Sequence, residues 1–126
     1  MSLVWKCAFF GWLATITVLS LIPRPPVPHQ GFLGWDKFQH AAAYGTLTFL
    51  GAMAFPRPRW SRGGSYSAAA LLAVVVGGMM ELAQWGFTTS RSAEWSDLLA
   101  DGVGSAAVAG LGCLVAVFRG NDGGKG

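Results

Sequence analysis

A chain of 126 residues that is 52% hydrophobic and only 12% charged is not built like a water-soluble domain. Soluble domains carry roughly a quarter charged residues, and a domain this small buries only about two-thirds of its surface, so too much apolar area would stay in water. A positive mean hydropathy points to lipid as the solvent. A net charge of +3, dispersed along the chain, is too weak for a nucleic-acid surface. Cys7 and Cys113 read as small buried hydrophobes, with neither a disulfide framework nor metal-ligand spacing.

Four segments have the roughly 20 residues that a helix needs to cross a bilayer. The first runs from about Leu3 to Ile22 and ends at Pro23, Pro25, Pro26 and Pro28, since proline lacks an N–H and fixes φ. Lys6 and the apolar run after it resemble a signal peptide. However, no small-x-small site follows and the run exceeds a typical signal core, so the helix is expected to be retained. The second span runs from Asp36 to Phe55 and is stopped by Pro56 and Pro58. A basic loop with Arg57, Arg59, Arg62, Gly63 and Gly64 leads to a third span from about Ser67 to Phe87, and a fourth runs from Asp97 to Phe118. The expected fold is all-α, a single integral membrane bundle of four transmembrane helices over residues 1–118, with a flexible polar tail over 119–126.

With four spans, Lys6, Arg57, Arg59, Arg62, Arg119 and Lys125 share one side, against Arg24, Lys37 and Arg91 on the other. The excess of basic residues predicts that both termini are cytoplasmic. Of the six acidic residues, Asp36, Glu81, Glu94, Asp97 and Asp101 all fall near the non-cytoplasmic ends of spans two, three and four. His40 lies about 6 Å deeper than Asp36, Asp101 about 6 Å deeper than Asp97, and Glu81 about 9 Å inside the end of span three. Asp36, His40 and Tyr44 share one helix face at i, i+4 and i+8, and Asp97, Asp101, Gly104, Ser105 and Val108 form a second stripe. Glu81 has Gln84 a turn away. Gly77, Gly78, Gly102, Gly104, Gly110 and Gly112 are small enough to let helices approach closely. Trp35, Trp85 and Trp95 suit an interfacial belt, Lys37 alone would be a snorkelling anchor, Asp97 alone an N-cap, and His29 a solvated loop residue.

Read in order, span two carries D-K-x2-H-x3-Y and span three E-x2-Q. R-x5-D-x3-D-x2-G then follows as Arg91, Asp97, Asp101 and Gly104. Together these motifs resemble the VanZ-like family of small bacterial membrane proteins, over about Asp36 to Gly110. The resemblance implies a multi-pass protein of the bacterial cytoplasmic (inner) membrane with a role at the cell envelope. The family takes its name from a protein associated with teicoplanin resistance, and antibiotic resistance enters only through that name. The family usually has asparagine where this chain has Asp101. An ionised aspartate only accepts hydrogen bonds, so Asp101 is expected to be protonated or paired with a cation such as Arg91 or Lys37.

The expected function is a polar site under the outer leaflet that acts on, or binds, a lipid headgroup, lipid-linked precursor or glycopeptide. His40 is the best general base, because its ordinary pKa lies near neutrality. Asp36 or Glu81 would orient its ring, and Asp97 completes the catalytic set. Lys37 and Arg91 would hold a phosphate or carboxylate, with Tyr44, Gln84 and Asp101 in the binding set. No serine or cysteine stands at a nucleophile-elbow spacing, so water would be the nucleophile. Two alternatives are a non-catalytic binding or partner protein and a purely structural clasp between helices. A metal-ion version on His40, Glu81, Asp97 and Asp101 has ligand types that suit zinc or manganese but no HExxH or paired-histidine motif, so the reading names no metal and no cofactor. The expected partners are the bilayer and an anionic headgroup or cell-wall precursor, with no nucleic acid. Oligomeric state, and enzyme against binder, are left open by the sequence.

Overall fold

The computed structural model describes residues 2–23, 25–27, 30–32, 35–56, 61–89 and 94–122. Their regular structure is α-helical: α1 (Ser2–Leu21), α2 (Asp36–Ala54), α3 (Arg62–Phe87) and α4 (Trp95–Asp122). All six prolines of the chain lie between these helices, as their missing N–H requires. Three helices, α1, α3 and α4, are long and apolar enough to cross a membrane. The polar residues Asp36, Lys37, Gln39 and His40 dilute α2, which is less apolar than its neighbours.

The third helix starts five residues before the expected Ser67. The Ser61 side chain accepts a hydrogen bond from the Gly64 N–H at 3.2 Å and so caps the helix. Gly63 and Gly64 were placed in a loop by their flexibility, but Gly63 packs against Cys113 of α4, where contact outweighs intrinsic propensity. The last helix continues to Asp122, into the segment expected as a tail, and residues 123–126 lie outside the described ones.

The packing inverts that of a soluble protein. On α3 the buried stripe is Ser65, Ala69, Ala73, Gly77, Glu81 and Gln84, while Leu71, Val75, Met79 and Leu82 face outward. Along α4, Asp97, Asp101, Gly104, Ser105 and Ala109 point inward, and Leu99, Val103, Leu111 and Leu114 outward. Small and polar inside with branched apolar outside is the arrangement that lipid contact permits. Cys7 follows the same rule: it is exposed on α1, and Cys113 is only half-buried, contrary to the buried positions expected. In lipid nothing drives a small apolar group inward.

Helices α2, α3 and α4 pack against one another, and α1 packs on α2 and more lightly on α3. Phe9, Ile16, Tyr44, Leu47, Ala54 and Ala73 make the apolar core beneath the polar end. The Trp12 indole N–H donates to the Ala43 carbonyl at 2.9 Å, tying α1 to α2. The α2–α4 crossing is set by glycine. A Cβ on Gly45 would stand 3.1 Å from the Gly104 carbonyl, and one on Gly104 would fall within the backbone of Ala41. Not every small residue serves this purpose. A Cβ on Gly78, Gly102 or Gly110 would meet nothing within 4 Å.

Gly104→Ala is therefore expected to force α2 and α4 apart and cost roughly 1–3 kcal/mol or more. Gly110→Ala should cost nothing measurable, and thermal unfolding of the two variants in the same detergent checks the contrast.

Candidate functional site

Alternating helix direction brings the first turn of α2, the last turns of α3 and the first turns of α4 to one end of the bundle, with the last turn of α1 beside them. Lys37 stands at the centre of that end. Its Nζ lies 3.0 Å from Glu94 and 3.5 Å from Asp36, and it makes a short ion pair with Asp97. Asp36 and Glu94 are half-exposed, whereas the Asp97 side chain is 8% exposed. Three carboxylates from two helices and a loop thus share one ammonium.

Below Lys37 lies His40, one turn deeper on α2. Its Nδ1 is 2.8 Å from Asp101 Oδ1, a hydrogen bond, and its Nε2 faces Asp97 Oδ2 at 3.6 Å. The ring is thus held between two carboxylates on α4 that are one turn apart. Tyr44, a further turn down, lies nearly parallel to the imidazole with the ring centroids 6.4 Å apart. Asp101 is 1% exposed, and its Oδ2 has no hydrogen-bond partner among the described residues.

Glu81 comes from α3. Its Oε2 accepts the Glu94 backbone N–H at 2.9 Å, just before α4 begins. A carboxylate beside the start of a helix also meets the positive end of the helix dipole. The carboxylate of Glu81, that of Asp101 and the His40 ring each present a ligand-type atom, and these atoms all lie within 4.8 Å of one another. Asp36, His40 and Asp97 form a second such group nearer the surface.

Of the residues expected in a site, His40, Asp36, Glu81, Asp97, Lys37 and Asp101 meet at this end, and Tyr44 adjoins them. Gln84 is buried, but its amide donates to the Ser20 carbonyl at 3.0 Å and so ties α3 to α1. Arg91 lies outside the described residues. Lys37 is not presented as a free phosphate clamp, because its ammonium is already shared by Asp36, Glu94 and Asp97. The residue missed is Glu94, which bridges Lys37, Glu81 and Ser96. Its position three residues before Asp97 was the available signal, since that is where the first α4 turn closes, with the Asp97 N–H on the Glu94 carbonyl. Trp35, Trp85 and Trp95 are exposed around the same end. A groove of about 660 Å³ lies at the opposite end, among Trp5, Phe49, Met53, Tyr66, Arg62 and Arg119, away from the acid–base groups.

No protein-family model, curated protein or solved structure matches the chain.

Two expectations concern the ammonium. Lys37→Met leaves Asp97 buried with its main cation removed, and should cost roughly 1–3 kcal/mol, between the values for exposed and fully buried pairs. Lys37→Arg should restore most of that loss, read by unfolding in detergent. The hydrogen bond from Lys37 and its charge hold the Glu94 carboxyl below the usual carboxylate range. Because the folded-state value is the lower one, this contribution is present above the ordinary pKa of about 4.3 and is lost as pH falls through the depressed value. Glu94→Gln should therefore flatten part of the acid loss of melting temperature while leaving the neutral-pH slope unchanged.

Proposed function

We propose that the chain is a VanZ-like multi-pass protein of the bacterial cell envelope, with four membrane crossings and both termini in the cytoplasm. Its acidic end is a site on the non-cytoplasmic side that binds, and works by acid–base chemistry on, the headgroup of an envelope lipid or lipid-linked precursor. The motif order from Asp36 to Gly104 supports the family, and the basic residues of the opposite loop and tail support the orientation. The fourth crossing is supported by α2 itself. Its 19 residues span about 28 Å, close to the hydrocarbon thickness, and of its polar residues His40, Tyr44 and Thr48, further in, are largely covered.

The observation that carries the reading is His40, held between Asp97 at the mouth and Asp101 beneath. An imidazole fixed from below by a carboxylate keeps one tautomer and one orientation, as a proton-transfer group needs. Water would attack the headgroup phosphorus, its proton passing to His40 and Asp97 as the new P–O bond forms, and the ester P–O bond would break with a proton returned to the leaving oxygen. Among the described residues, the mouth carries one ammonium and three carboxylates. That balance favours a headgroup with an amine beside its phosphate over a purely anionic one, since the amine can take up carboxylates that Lys37 would release to the phosphate.

The same ion-pair set also favours a second reading, in which the cluster only clasps α2 to α4. The two separate by experiment. Purified protein in lipid nanodiscs is offered amine-bearing phospholipids, anionic phospholipids and lipid-linked precursors, and products are read by mass spectrometry. The expected outcome is turnover of an amine-bearing substrate that falls roughly 10²-fold or more in His40→Ala. Unchanged turnover in that variant overturns the acid–base role. A His40→Ala protein that loses only thermal stability, with no substrate turned over by either form, leaves the clasp.

A further inference from the structure

Among the described residues, the inner half of the polar layer is short of positive charge: the carboxylates at the mouth have Lys37, whereas Glu81 and Asp101 have the imidazole of His40. Asp101 shows the deficit most directly. One oxygen is hydrogen-bonded to His40 Nδ1, and the other, Oδ2, is sealed from solvent with no hydrogen-bond partner among the described residues. An orphaned carboxylate oxygen in an apolar bundle is costly, and the cost is relieved when a cation or proton meets it.

Shape points to what meets it. Asp101 Oδ2 is directed at α3, where the facing residue is Gly77, one turn before Glu81 on the same stripe. A Cβ at position 77 would stand 2.5 Å from Oδ2, so it is the glycine that lets this carboxylate pack against α3 beside the Glu81 stripe. One donor comes from each of three helices: His40 on α2, Glu81 on α3 and Asp101 on α4. A proton would satisfy one oxygen. A divalent ion would satisfy both carboxylates and the imidazole together.

We propose that His40, Glu81 and Asp101 form a three-ligand site for a divalent transition-metal ion, of the zinc class before manganese. One imidazole and two carboxylates suit such ions, and three protein ligands leave a position for water. An ion on Nδ1 would replace the hydrogen bond from Nδ1 to Asp101, while Asp97, 3.6 Å from Nε2, stands where a carboxylate orients a metal-bound imidazole. The mouth group of Asp36, His40 and Asp97 is the weaker candidate, because Lys37 already sits among its carboxylates and repels a cation. This assignment uses His40 as a ligand and so stands in place of its proton-accepting role in the proposed function, and it does not depend on which substrate the layer serves.

The test uses the full chain in detergent, stripped with a chelator and then dialysed against Zn²⁺ or Mn²⁺. The expected results are about one ion per chain by elemental analysis, a raised melting temperature, and an X-ray absorption spectrum with one imidazole among oxygen ligands at about 2.0–2.1 Å. Asp101→Asn and Glu81→Gln should each weaken binding by roughly 100-fold or more, and Asp122→Asn, at the far end of α4, should not weaken it at all. Wild-type protein that stays helical and monodisperse, yet takes up no stoichiometric metal at saturation, overturns the site. So does metal uptake that survives Asp101→Asn and Glu81→Gln undiminished. Metal bound without lipid turnover removes only the proposed function, and lipid turnover by wild-type protein that takes up no metal removes only this site.

Discussion

Carboxylates can stand among apolar helices only where something neutralises them, and the packing of this molecule follows from that requirement. Five acidic residues gather at one end, and the helices are arranged so that each meets a donor or cation: Asp36, Glu94 and Asp97 at Lys37, Asp101 at His40, and Glu81 at the Glu94 N–H. These contacts draw on α2, α3, α4 and the turn before α4. Moving any one helix would strand a charge, so the polar end fixes the relative rotation of all three. Apolar side chains in lipid give no comparable direction, because the hydrocarbon outside resembles the one within.

The rest of the bundle is built to let the polar end close. His40 reaches Asp101, and Lys37 reaches Asp97, only because α2 and α4 approach closely one turn further in. There Gly45 and Gly104 face each other and the Gly104 backbone rests on Ala41. A tight crossing and a charged layer are therefore one structure seen at two depths. Helix α1 stands apart from this. It supports α2 through Trp12 and receives Gln84, and it contributes none of the ion-paired groups.

Much of this was legible in the residues. Prolines bounded the helices, and the i, i+4 spacing put His40, Asp97 and Asp101 on inward faces, with Asp36 at the exposed rim above His40. What escaped were features set by distance between segments. Spacing shows that Lys37 lies beside one acid, Asp36, on its own helix. It does not show that Asp97, sixty residues later, arrives as a closer partner. Glu94 was counted among the clustered acids but not in the site, because its role depends on contacts with Glu81 and Lys37 that no spacing shows. Gln84 shared a turn with Glu81 and was grouped with it, but its amide faces α1. Glycines were overcounted for the same reason: periodicity cannot tell Gly104, pressed on a neighbour, from Gly110, facing open space.

The α3–α4 connection shows a further effect of the Glu81 contact. One end of the connection is held by the Thr88 N–H on the Gln84 carbonyl, and the other by the Glu94 N–H on Glu81. Both anchors belong to the last turns of the same helix. Chain tied at both feet to one rigid body can change in length and composition between them with little effect on where α4 begins, since added loop length carries only a small, slowly growing entropic penalty. A tag or a recognition epitope inserted there would report on which face of the membrane it emerges, while the helices beneath kept their places.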